Sequence, residues 1–171
     1  MIKRIAITGP ESTGKTWLAS ELAAHYKTAW VPEFARGFLS ELDRPYNFDD
    51  ILLIARNQFR LNSEAPQSAN RFLFCDTELI VTRIWCEVKY GKCHHWIEEH
   101  IQKQNFDLYL LTDIDLPWEP DPQREHPHMR QHLMDLYINE MERRHLSYRI
   151  IRGHQEERLM NAIIALDKMG C

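Results

Sequence analysis

Eight residues near the start of the chain, Gly9-Pro10-Glu11-Ser12-Thr13-Gly14-Lys15-Thr16, carry the spacing GxxxxGK[ST]. That spacing suits a nucleotide polyphosphate. The glycines let the backbone curl so that its N–H groups converge on phosphate oxygens. A helix starting there adds the positive end of its dipole. Lys15 supplies a point charge to the terminal phosphates, and Thr16 supplies a hydroxyl to Mg²⁺. Gly9, Glu11, Ser12, Thr13, Gly14, Lys15 and Thr16 are therefore expected to hold ATP. The bland alternative is a glycine turn ahead of a helix. The strand-like run before the motif and the helical run after it favour the phosphate site.

Other residues could complete a transfer site. Asp76 ends the run Arg-Phe-Leu-Phe-Cys, where a strand would deliver a carboxylate to Mg²⁺ beside the P-loop. Capping the next helix is the competing role for Asp76, and both roles fit. Thr77 and Glu78 follow it toward the same expected cleft. Glu33 stands just after the second strand, where a carboxylate can accept the proton of an attacking hydroxyl. The alternative for Glu33 is a helix-start glutamate favoured by the dipole. Arg36 lies three residues on, on the same helical face. The segment Pro117-Trp118-Glu119-Pro120-Asp121-Pro122-Gln123-Arg124 is long and charged, as a lid over the phosphates would be. From it Arg124, and Arg130 beyond it, would stabilise the transferring phosphoryl group, or each is simply a solvated charge. No guanine-binding NKxD sequence follows the fourth strand, where Thr112-Asp113-Ile114-Asp115 stands.

The elements that must position these residues alternate. Strands are expected at Lys3–Thr8, Thr28–Val31, Arg71–Cys75, Asp107–Thr112 and Ser147–Ile151. Helices are expected at 16–26, 33–42, from a capping arrangement at Asn47 and Asp50 to near Pro66, and at 79–90, 95–104, 128–144 and 156–169. Alternation implies βαβ units: an α/β P-loop NTPase with a five-stranded parallel sheet flanked by helices. Chemistry belongs at the carboxyl ends of those strands. A chain of 171 residues suits one domain, so 1–171 is read as a single unit.

Composition narrows the class. Net charge is −4, with 44% hydrophobic and 27% charged residues, so the chain reads as globular, with no basic face for nucleic acid. No apolar run approaches a membrane span. Cys75, Cys86, Cys93 and Cys171 form no CxxC pair, which suits a reducing cytoplasm. Met1 leads straight into a strand-like run rather than a signal peptide. His128 and His132 are four apart, but no cysteine or carboxylate completes a zinc spacing.

These motifs together resemble the ribosylnicotinamide kinase domain of NadR-type proteins, within the nucleoside and nucleotide kinase-like P-loop folds. The resemblance covers nearly the whole chain. It rests on the P-loop, Glu33-Phe34-Ala35-Arg36, Phe74-Cys75-Asp76-Thr77-Glu78, Tyr90-Gly91, Phe106-Asp107-Leu108, and Pro117-Trp118 with Asp121 and Arg124. It implies ATP-dependent phosphorylation of the ribose 5′-hydroxyl of nicotinamide riboside, with Mg²⁺. Lys15, Glu33 and Arg124 would be catalytic. Glu33, Arg36, Asp76, Thr77 and Trp118 would meet the riboside. In that family an aromatic residue precedes the Glu33 position and stacks on nicotinamide. Here that place is Pro32, and Trp30, Trp85, Trp118 or Tyr46 would have to supply the ring. A kinase for another nucleoside or nucleotide, and a regulatory ATPase module, are the competing readings.

Overall fold

The computed structural model describes residues 1–64 and 66–169. Cys171 lies outside them. The elements run β1 (Lys3–Thr8), α1 (Lys15–Tyr26), β2 (Trp30–Val31), α2 (Phe34–Glu41), α3 (Phe48–Ser63), β3 (Phe72–Asp76), α4 (Leu79–Tyr90), α5 (His95–Ile101), β4 (Leu108–Thr112), α6 (Arg130–Arg143), β5 (Tyr148–Ile151) and α7 (Glu156–Asp167). The strands form one parallel sheet in the order β2-β3-β1-β4-β5. The α/β class and the five-stranded parallel sheet expected from the alternation are what is found.

Strand side chains alternate between two helical layers. Ile5 and Ile7 of β1, Phe72 and Phe74 of β3, and Leu108 and Leu110 of β4 pack with Leu18 and Leu22 of α1 and Ala162 and Leu166 of α7. On the other face, Ala6, Tyr109 and Leu111 pack under α3, α4, α5 and α6. Leu73 and Cys75 extend that face toward the β2 edge, beneath Val31 and Leu61. The three inner strands are buried on both faces, so their sequences are continuous apolar runs. Each such buried Leu, Ile or Phe contributes roughly 1.5–3 kcal/mol.

β1 is central, with β3 on one side and β4 on the other. The connection through α4 and α5 passes from one side of β1 to the other. That crossing leaves a crevice at the carboxyl end of β1.

The start of β2 departs from expectation for a local reason. β2 is only two residues long because Thr28 is used elsewhere. Its N–H donates to Ala23 O, closing α1, and its hydroxyl donates to Phe72 O. The third strand ends on Asp76, as expected, with Ile7 paired to it in the ladder. The start of α3 is as expected. Asn47 Oδ1 accepts from the N–H groups of Asp49 and Asp50, and Asp50 accepts from Asn47 N–H at 2.8 Å. Such a cap contributes about 1 kcal/mol.

Candidate active site

The P-loop begins where β1 ends, and its shape depends on Gly9. At φ +137° a side chain is strained, and a Cβ there would lie 2.6 Å from Thr112 Oγ1 and 2.9 Å from Thr112 O. Thr13 fastens the loop to the neighbouring strand. Its hydroxyl donates to Pro10 O at 2.7 Å and lies 2.6 Å from Thr112 Oγ1. Gly14, at φ +76°, starts α1. Lys15 Nζ donates to Pro10 O at 2.7 Å.

Thr16 Oγ1 donates to Asp76 Oδ2 at 2.6 Å. Asp76 is fully buried and stands behind Thr16 rather than in the cavity wall. Burial, and next the charge of Glu33, push its carboxyl up to about 6, against the Thr16 bond and the charges of Lys15 and Arg36. Burial holds Lys15 below the usual lysine range, opposed by Glu33, Asp76 and Glu11. The mutual influence of Lys15, Glu33 and Asp76 gathers the three into one charged group.

Glu33 precedes α2 with extended backbone, and its side chain makes no capping bond. Its carboxylate lines the cavity at the N-terminus of α2, where the helix dipole also favours a negative charge. A buried amide network sets the Glu33 backbone. Gln58 Oε1 accepts from Phe34 N–H at 2.7 Å, and Gln58 Nε2 donates to Pro32 O at 3.3 Å, one on each side of Glu33. Gln58 Nε2 also donates to Asn62 Oδ1, and Asn62 Nδ2 donates to Thr77 O at 3.0 Å. Thr77 takes a left-handed φ of +71°, a costly conformation for a β-branched residue. The Asn62 bond and the bond from Thr77 N–H to Ile7 O hold it there.

The segment between β4 and α6 lies over the P-loop, fastened by the loop's own variable side chains. Ser12 Oγ accepts from Glu119 N–H at 2.8 Å and from Arg124 Nη1 at 3.3 Å. The Glu11 carboxylate accepts from the N–H groups of Glu125 and His126 at 3.1–3.2 Å. On the opposite side, Arg36 Nη1 meets Asp121 at 2.7 Å, and Gln123 Nε2 donates to Arg36 O.

Beneath this segment lies a cavity of about 630 Å³. The P-loop from Gly9 to Thr16, Glu33, Arg36 and Arg124 all line it. A second wall, from α4 and α6, is apolar and aromatic: Ile84, Trp85, Val88, Leu133 and Tyr137. His154, Gln155 and Arg158 close the side after β5. The volume suits a nucleotide with a small second ligand.

Several expected residues sit elsewhere. Thr77 is buried behind the wall and Trp118 lies outside the lining, so neither meets the cavity, although Pro117 and Glu119 do. Arg130 points at the backbone: Nη1 donates to Leu116 O at 2.7 Å and Nη2 to Ser12 O at 3.2 Å. It braces the segment between β4 and α6 against the P-loop and does not line the cavity. Glu78 turns away, caps α4 through Ile80 N–H, and accepts from Thr8 Oγ1 at 2.8 Å. Of the four aromatic candidates for the Pro32 position, Trp85 alone lines the cavity, while Trp30 packs into the sheet core.

Arg158 escaped the sequence analysis. It is fully buried and donates to Thr13 O at 3.1 Å, Gly153 O at 2.8 Å and the Asp115 carboxylate. The strand-end rule pointed to the turn after β5, but no local pattern distinguishes this arginine from the surface arginines of a helix. Gln58 and Asn62 escaped too, as polar positions on an otherwise ordinary amphipathic helix.

Mg²⁺ fits the residues present. Asp76 Oδ1 is buried with no hydrogen-bond partner, beside a carboxyl oxygen already bonded to the Thr16 hydroxyl. An ionised carboxylate so placed calls for a cation. Among the described residues, no group of three or more His, Cys, Asp or Glu side chains is placed to hold a metal. One carboxylate and one hydroxyl suffice for Mg²⁺, whose remaining ligands come from phosphate and water. No helix among the described residues is long and apolar enough to cross a membrane.

Fold and site together define a P-loop nucleotide-binding protein whose fold is shared with nucleoside and nucleotide kinases. A family model described as an AAA domain matches residues 4–158, and the chain belongs to that family. It is similar to NadR, the trifunctional NAD biosynthesis/regulator protein of Salmonella typhimurium. The two are 29% identical over 124 residues, covering 70% of this chain and 30% of NadR. The chain thus spans under a third of the curated relative's length. Among solved structures, NadR in complex with NR superposes with a TM-score of 0.84 at 20% identity, over 99% of this chain and 51% of that one. NadR with NAD and AMP-PNP gives 0.80 at 22%, over 98% and 49%. Thymidylate kinase from Ehrlichia chaffeensis gives 0.70 at 11%, over 98% of both chains. The NadR-type resemblance read from the motifs holds.

Proposed function

We propose that residues 1–171 form a single kinase domain that transfers the γ-phosphoryl group of ATP to the ribose 5′-hydroxyl of nicotinamide riboside, yielding nicotinamide mononucleotide. The observation that carries this reading is Glu33. Its carboxylate is free of any capping bond and lines the same cavity as Lys15. A nucleotide switch has no need of an acceptor-side base there. The similarity to NadR, solved with NR and with AMP-PNP, supports the choice of acceptor and donor.

The P-loop N–H groups and Lys15 hold the triphosphate. Thr16 and Asp76 would hold Mg²⁺, which neutralises charge on the β- and γ-phosphates. Glu33 accepts the proton of the 5′-hydroxyl as the ribose oxygen bonds to the γ-phosphorus. The bond from that phosphorus to the β–γ bridging oxygen breaks, and ADP leaves. Arg124, held over the P-loop by Ser12 and the Glu119 carbonyl, stabilises charge on the transferring group. The lid excludes water, so the riboside rather than water takes the phosphoryl group. Trp85 offers its ring face to nicotinamide in place of the aromatic missing at Pro32.

A second reading keeps the chemistry and changes the acceptor, since thymidylate kinase shares the fold over its whole length. One assay separates the readings: Mg-ATP with a panel of ribosides, deoxynucleosides and nucleoside monophosphates, following ADP and phosphorylated product. Nicotinamide riboside phosphorylation supports the first. Turnover of thymidylate or of another nucleoside or nucleotide, and not of nicotinamide riboside, supports the second. ADP release without any acceptor dependence would sink both.

A further inference from the structure

Tyr46 lies in the loop between α2 and α3, outside the cavity lining, yet its hydroxyl joins three parts of the site. It donates to Glu125 Oε1 at 2.7 Å, on the lid. It accepts from Trp85 Nε1 at 2.9 Å and from Lys89 Nζ, both on α4. A phenol offers one donor and two acceptor positions, so its capacity is full. Lys89 Nζ also bonds Glu125 Oε1 at 2.9 Å and sits 3.9 Å from the Tyr46 ring centroid. The Tyr46 and Trp85 rings meet edge to face, 5.0 Å between centroids. Trp85 and Glu125 line the cavity.

We propose that Tyr46 is a positioning residue. It fixes the Trp85 indole at the acceptor end of the cavity and couples that ring to the lid through Glu125. This rests on the kinase reading above, in which Trp85 faces the acceptor's ring. The coupling follows from the bond inventory. Rotating the Trp85 indole breaks its bond to Tyr46 and disturbs the hydroxyl that Glu125 accepts from. A ring lying on Trp85 holds the indole, and through Tyr46 holds the lid closed. Burial pushes the phenol up to about 12, so it keeps its proton and remains Glu125's donor at neutral pH.

The test is Tyr46→Phe in the full chain, which keeps the ring and removes the hydroxyl. The expected result is a rise of about 10-fold in KM for nicotinamide riboside, the size expected when the Trp85 indole loses its one hydrogen bond to Tyr46. KM for ATP and kcat at saturating acceptor stay within about twofold. Amide exchange at residues 119–126 speeds up in the variant without any ligand. Tyr46→Phe combined with Glu125→Gln is expected to raise the acceptor KM by less than the product of the single effects. An unchanged acceptor KM, an equal rise in both KM values, or unchanged exchange at the lid would each overturn the proposal. If the wild-type chain phosphorylates no riboside, the kinase reading fails separately. Lid exchange, which needs no acceptor, then decides the Tyr46 link by itself.

Discussion

The Thr16 hydroxyl donates to one oxygen of the Asp76 carboxylate at 2.6 Å, while the other oxygen of that carboxylate is buried without a hydrogen-bond partner. Such a carboxylate is costly to ionise and ready to receive a cation.

Asp76 is therefore expected to oppose stability and to support nucleotide binding. Its folded-state value of about 6 lies above the ordinary 3.8, so the folded protein holds its proton more tightly than the unfolded one. Stability conferred by this group is present below about pH 4 and is lost as pH rises through about 6. At pH 7 the opposing contribution is on the order of 2–3 kcal/mol. Asp76→Asn should raise the melting temperature at pH 7 and abolish the further rise on adding Mg-ATP. Melting curves at pH 5 and 7, with and without Mg-ATP, check both halves. A variant less stable at pH 7 would contradict the burial argument.

Glu33→Gln should leave ATP affinity within about threefold and reduce kcat roughly 10²–10⁴-fold, the span of general-base contributions. Lys15→Ala should abolish transfer and weaken nucleotide binding as well. Nucleotide titration beside single-turnover transfer distinguishes them. Normal turnover in Glu33→Gln would remove Glu33 from the base role.

Gln58 is expected to act on rate through Glu33. Gln58→Leu removes the bonds to Phe34 N–H and Pro32 O that bracket the base. It also strands Asn62 and loosens Thr77, so stability should fall by roughly 1–3 kcal/mol. The diagnostic result is a lower kcat with KM for ATP unchanged, measured well below the melting temperature. Parallel loss of kcat and ATP affinity would make Gln58 a scaffold residue only.

Arg158→Met should cost roughly 1–3 kcal/mol, because the carbonyls of Thr13 and Gly153 lose their donor while Asp115 stays partly in solvent. Because Arg158 also holds Thr13 O to the turn at Gly153, affinity for a nonhydrolysable ATP analogue should drop about 10-fold or more. Chemical denaturation and calorimetric titration measure the two effects. A destabilised variant with unchanged affinity would confine Arg158 to the fold.

The architecture was legible because it depends on local periodicity. Buried parallel strands are unbroken apolar runs, and helices repeat every three to four residues, so Ile5–Ile7, Phe72–Cys75 and Leu108–Leu111 announced themselves. The phosphate loop was legible because its function uses adjacent backbone groups, and adjacency is what sequence records. Its Gly9, Lys15 and Thr16 sit where the spacing placed them, on the wall of the cavity.

The tertiary structure decided what depends on the direction of side chains at distant positions. Trp118 and Thr77, each beside site residues in sequence, sit off the cavity wall, because one step along a loop or a turn reverses which way a residue points. Arg130 grips backbone carbonyls of the lid and P-loop, whereas Arg158, from the far end of the chain, reaches the P-loop itself. The partnership of Thr16 and Asp76 lay between the two cases. The sequence by itself determined that Asp76 closes one strand and that Thr16 closes the phosphate loop after another. Only the packed sheet, with β3 beside β1 and Ile7 in register with Asp76, brought hydroxyl to carboxylate and left one oxygen open for a cation.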